Sequence, residues 1–246
     1  MLGLNMFAIL AFAAINMFAA YLCRCDDDKR KRLLRRICIA LLSLNLCRYT
    51  LSPILGYGLK IPVEFSTVSY FAVPIIFLTG SKRLRSWAAY SGIMAGFFYY
   101  MTMIVAGGKI YNDYPPYDTY ISLYCHGTLY LCGLLGLKTD RYISSDRYKL
   151  FFGVGLIALN AHLFRPIADN GTRLFVYELI DGIYVRRILP DALQSYLTIF
   201  NIALISGFVL LTVNLFFRLN KAQNEKRVRT GQCFVSVQTQ ITPLVQ

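Results

Sequence analysis

Seven stretches of this chain are apolar enough and long enough to cross a bilayer, and they remove most of the folds open to 246 residues. A helical span needs about 20 mostly apolar residues, because every backbone polar group in the hydrocarbon must be satisfied within the segment. The runs cover residues 2–23, 37–57, 61–80, 87–106, 119–137, 150–164 and 196–217. The sequence therefore predicts an all-α, polytopic transmembrane bundle of seven helices within residues 1–217, followed by a basic, loosely ordered cytoplasmic tail over 218–246. The first run has neither a basic leader nor a small-residue cleavage site, so it reads as a retained span. No repeat of 20–50 residues is visible, which excludes a solenoid.

A net charge of +13 would suggest nucleic acid in a soluble chain. In a multi-span chain the first test is whether basic residues gather on alternate loops. The loops after spans one, three and five, together with the tail, hold nineteen of the 26 Lys and Arg; the other side holds six, and Arg48 lies within a span. That asymmetry places the amino terminus outside and the carboxyl terminus in the cytoplasm. The excess charge is then a topology signal, nucleic acid is not a partner, and membrane lipids are. The expected location is the bacterial cytoplasmic membrane, with any protein partner in the bilayer left open. The seven cysteines form no C-x-x-C pair, so neither a disulfide framework nor a metal site is expected, and no cofactor is implied.

Within this frame the polar residues inside spans carry the functional reading, since an ionisable group in lipid is costly and marks a site by default. A helix rises 1.5 Å per residue, so position along a span gives depth. His126 is roughly 10 Å into span five. Glu64 stands about one turn into span three, and Arg48, with Asn45 on its face, lies in the outer half of span two. Asn160, His162 and Arg165 end span six on the same side, and Tyr99 and Tyr100 finish span four there. These groups collect in the outer leaflet, whereas the inner halves are mostly aliphatic and aromatic.

The expected site is an outward-opening polar cavity lined by spans two, three, five and six. The candidate catalytic groups are His126, Glu64, Ser66 and His162; the candidate substrate-binding groups are Arg48, Arg165, Asn160 and Cys125. Arg48 and Glu64 are expected to pair. The bland alternative is that these groups are buried struts that fix helix register. Cys125 and His126 are adjacent, but neighbours on a helix point about 100° apart and cannot form a dyad; His162 is the better base for Cys125 if spans five and six adjoin. Gly127, Gly133 and Gly136 read as close helix packing.

Two outer segments exceed simple connectors. Residues 106–118 form a turn-rich, tyrosine-bearing loop. Residues 172–185 have apolar spacing suited to a short surface helix or a cap over a cavity. Residues 170–172 match a glycosylation sequon but read as an Asn-Gly turn.

His126-Gly127 in span five and Ile61-Pro-Val-Glu-Phe-Ser-Thr67 at the start of span three resemble the YwaF-like integral membrane proteins. Relatives of that family in animals act as lipid acyltransferases, in a branch where the segment after the proline holds a Cys beside a His and the Cys is the acyl acceptor. Here Glu64, Ser66 and Thr67 stand there, so His126 alone carries over. The resemblance implies a lipid-modifying, acyltransferase-like activity. A transporter or binding protein for a small or amphiphilic anion, and an accessory subunit of a membrane complex, stay open beside it.

Overall fold

The computed structural model describes residues 2–54, 56, 60–110, 116–168 and 174–229. The helices are α1 (Leu2–Arg24), α2 (Asp27–Ile54), α3 (Phe65–Thr79), α4 (Arg85–Ile110), α5 (Pro116–Thr139), α6 (Arg147–Ala168), α7 (Phe175–Ile180), α8 (Ile183–Ile188) and α9 (Leu197–Arg229). Short 3-10 turns, Ser144–Asp146 and Asp191–Tyr196, lead into α6 and α9. There is no strand among the described residues. The tip of the 106–118 loop, the 170–172 turn and residues 230–246 lie outside them.

Six helices are long and apolar enough to cross a membrane, and α3 is an apolar helix of 15 residues. Each of the seven expected spans contains an apolar helix, the third of them too short to cross by itself, and their ends differ. The charged stretch before span two begins the next helix: α2 starts at Asp27, with Asp27 and Asp28 in a first turn where acidic groups suit the helix dipole. The helix α6 runs past Arg165-Pro166 to Ala168. The basic segment beyond residue 217 is helical as far as Arg229, where loose order was expected. Asn220 and the Lys221–Glu225 pair one turn on explain the extension.

The central element is α5. Of its apolar stretch 72% is buried, against 17–22% for α1, α2, α6 and α9. It packs most closely on α4, and small residues permit this. A Cβ on Gly92 would meet the Leu129 carbonyl oxygen at 2.6 Å, and one on Gly133 would meet the Ile93 nitrogen at 2.5 Å. Backbones come this close only where side chains are missing. Around this pair, α1 rests on α4 and α5, α3 fills the space between α2, α4 and α5, and α6 lies outside on α3, α4 and α9.

Cross-links identify the two ends of the bundle. Asn5 of α1 donates to the Ile104 carbonyl late in α4, at 2.9 Å. At the other end, Arg85 at the start of α4 meets Asp140 just after α5, at 3.3 Å. The Arg85 end, the basic end of the bundle, carries the connections after α1, α3 and α5. The opposite end carries α7 and α8, which form a strap. The surface helix expected over 172–185 is thus two short helices, broken at Asp181-Gly182. Gly182 has φ +67°, a left-handed conformation that a side chain would strain, and Asn201 of α9 lies against it.

Candidate functional site

At the strap end, α3 starts with a cap. The Glu64 amide donates to the Thr67 hydroxyl at 3.0 Å, and that hydroxyl donates back to the Glu64 carbonyl at 3.0 Å. This fixes the first turn of α3, with Ser66 half-buried on it. Tyr70 lies one turn below Ser66 on the same face and is 3% exposed.

Tyr70 meets His126. Its hydroxyl lies 2.8 Å from Nδ1 and 3.2 Å from Nε2 of the imidazole. The ring of Tyr99 from α4 stacks on the imidazole, with centroids 3.6 Å apart and planes at 9°. The Ser122 carbonyl, one turn back on α5, is 2.8 Å from Nδ1. A carbonyl only accepts, so the ring donates through Nδ1–H to Ser122, while the Tyr70 hydroxyl lies along the ring edge between the two nitrogens. In this tautomer the imidazole holds one proton and presents one lone pair.

Cys125 turns to another wall. Its thiol accepts from Asn45 Nδ2 at 3.5 Å, and Asn45 also donates to the Leu41 carbonyl at 2.9 Å. The two adjacent residues therefore serve different partners, as helix geometry requires. Arg48 is half-buried one turn beyond Asn45 on α2. Asn45, Tyr70, Tyr99, Cys125 and His126 thus form a buried polar group inside the bundle, with Arg48 one turn along α2 from Asn45.

The remaining candidates belong elsewhere. Glu64 does not pair with Arg48; its Oε1 accepts the Phe175 amide of α7 at 3.0 Å. Asn160 donates to the Pro62 carbonyl at 2.9 Å. Arg165 makes two hydrogen bonds to Asp181, at 2.8 and 2.7 Å, and lies over the Tyr177 ring at 5.0 Å. These three residues fasten the strap and the approach to α3. His162 is exposed on α6. It is no base for Cys125, because that thiol is enclosed between α5 and α2 while α6 rests on α3, α4 and α9. The expected lining of spans two, three, five and six is corrected in the same way: α4 supplies Tyr99 where span six was expected. His126 is 6% exposed, so the cluster is closed.

Tyr99 was expected at this depth with the other polar groups; Tyr70 was missed because tyrosine in a span reads as an interface anchor. Its place along span three would have found Tyr70, which lies well inside the span, as His126 does in span five. Among the described residues no group of three or more His, Cys, Asp or Glu comes together that could hold a metal.

The description of the TMEM164 family matches residues 1–172, a stretch that contains α1 to α6 and the whole polar cluster. No curated protein and no solved structure matches the chain.

Proposed function

The chain belongs to the TMEM164 family, a family of membrane proteins, and from that premise we propose that it modifies membrane lipids by acyl transfer at the Tyr70–His126 cluster. The observation that carries this reading is a buried imidazole whose Nδ1–H is held by the Ser122 carbonyl, which leaves the Nε2 lone pair for an acceptor hydroxyl. The likeness of His126-Gly127 to the YwaF-like proteins and their lipid-acyltransferase relatives supports the reaction class. In this reading the strap end faces out of the cell, as the basic-residue asymmetry suggests.

The chemistry needs no acyl-enzyme. The hydroxyl of an acceptor lipid approaches Nε2. Nε2 removes its proton as the oxygen attacks the ester carbonyl of a donor lipid. The hydrogen bond from Nδ1–H to Ser122 steadies the imidazolium. The tetrahedral intermediate collapses, and the leaving alkoxide takes the proton back from Nε2. The acyl group has moved from donor to acceptor, and the enzyme is restored. Arg48 offsets negative charge on a headgroup or on the developing oxyanion.

The test uses full-length protein in proteoliposomes with an acyl-labelled phospholipid and a lysolipid acceptor. General base catalysis contributes about 10²–10⁴-fold, so His126→Ala is expected to lower transfer by that amount. Transfer by His126→Ala equal to wild type ends the reading. The short α3 with its extended approach also suits a transport site, where broken helices bind substrate. Anion uptake into the same vesicles, lost in Arg48→Ala and kept in His126→Ala, would favour transport.

A further inference from the structure

The opposite, basic end holds a second built feature. Asn220 of α9 donates to the Leu137 carbonyl at 2.9 Å and to the Asp140 carbonyl at 2.8 Å, and accepts the Tyr142 amide at 3.1 Å. The Tyr142 ring stacks on Phe216 with centroids 5.6 Å apart. The Arg147 guanidinium lies over Phe217 at 5.5 Å. One asparagine and two phenylalanines thus bind the α5–α6 connection to α9 and fix its shape.

Charge in this corner does not balance. Asp140 is occupied by Arg85 and by the Tyr142 hydroxyl, at 3.3 and 3.4 Å. Asp146 is occupied by Lys149 and the Ile143 amide. Glu225, further along α9, lies 3.9 Å from Lys221. Arg141, Arg147 and Arg218, all exposed, have no acidic partner among the described residues. They flank Tyr142 and Phe217, so the fixed connection brings them to one corner. Beside them the first turns of α6 expose Tyr148 at 65% and Phe152 at 66%. Three guanidiniums above an exposed aromatic surface, at a helix end of a membrane bundle, match a ligand with an anionic head and an apolar tail.

We propose that the corner between the α5–α6 connection and α9 binds the phosphate-bearing headgroup of an anionic membrane lipid, held by Arg141, Arg147 and Arg218. The arginines suit phosphate because each planar fork donates two parallel hydrogen bonds. This site lies at the other end of the bundle from the Tyr70–His126 cluster and does not depend on that reading.

Native mass spectrometry of the full chain in detergent, with phosphatidylglycerol or phosphatidylcholine added, tests it. Wild type is expected to retain phosphatidylglycerol selectively. A triple variant, Arg141→Gln with Arg147→Gln and Arg218→Gln, is expected to lose apparent affinity by on the order of 10²-fold, and Arg218→Gln alone by about 5-fold. A control with the same charge change on α2, Lys31→Gln with Arg32→Gln and Arg35→Gln, is expected to stay within about 2-fold of wild type. The proposal is overturned if the triple variant and Arg218→Gln bind like wild type. It is equally overturned if the control loses as much as the triple variant, which would mean diffuse attraction. Displacement of the lipid by millimolar inorganic phosphate would assign the corner to a soluble anion and overturn the lipid.

Discussion

Asp181 shows what a single carboxylate does for the strap. Hydrogen bonds from Arg165 hold its carboxyl below the ordinary aspartate value of 3.8. A carboxyl lowered on folding stabilises the folded arrangement at pH above its unfolded value, and loses that contribution as pH falls through the folded one. The contribution of this pair to strap docking is therefore expected to hold from neutral pH down to about 4 and to be lost below it, a small effect for an exposed pair. Hydrogen exchange over residues 174–189, corrected for the intrinsic effect of pH, measures this. Asp181→Asn should show at neutral pH the faster exchange that wild type shows only in acid; equal protection in both proteins would remove Arg165–Asp181 as the fastener. The contrast with His126 is instructive. Arg165 and Asp181 meet in the open, where ion pairs are worth little singly. His126 has its partners supplied by three helices and held in place by packing.

At the scale of elements, the α4–α5 seam sets where His126 can be. A Cβ on Gly96 would stand 2.6 Å from the His126 carbonyl oxygen and 2.4 Å from the Tyr130 Cβ. Neither atom can swing aside, so α5 must shift. Overpacking of this kind costs about 1–3 kcal/mol. Gly96→Ala is expected to destabilise by that amount and to impair whatever His126 does, whereas Gly155→Ala, with nothing within 4 Å, should be neutral or slightly stabilising. Thermal unfolding of the two variants in detergent decides it; similar behaviour would mean the seam tolerates separation. The glycines of α5 were legible as packing residues from sequence, because small residues at helical spacing within a span have few other uses. Their partner was not legible. Hydropathy orders helices along the chain and is silent on which faces meet. Span six was therefore expected to line the site with span five, where α4 stands, and Tyr99 was placed by depth without its contact to His126. For the same reason Glu64 was matched with Arg48 by depth, when its partner is a backbone amide of the strap.

For the molecule as a whole, helix length against membrane thickness explains the rest. The 15 residues of α3 span about 22 Å, short of the roughly 30 Å of hydrocarbon. The extended residues 60–64 complete the distance, and non-helical backbone at that depth survives only when protein covers it. Asn160 and Phe175 are that cover, which explains why polar residues of α6 and a strap amide converge there. In contrast, the 33 residues of α9 reach about 50 Å, so its last turns stand clear of the lipid at the basic end. Spans and charge asymmetry were open to sequence reasoning because the bilayer imposes them one segment at a time; the strap's contacts were not, because they join residues far apart in the chain. The asymmetry makes a prediction about the whole chain. Ser145, exposed at the basic end, should face the cytoplasm, and Asp191, exposed at the strap end, should face outside. A membrane-impermeant maleimide applied to intact cells should label Asp191→Cys directly, and Ser145→Cys only after permeabilisation. The reverse pattern would turn the bundle over, and would place the Arg141–Arg147–Arg218 corner on the outer surface with it.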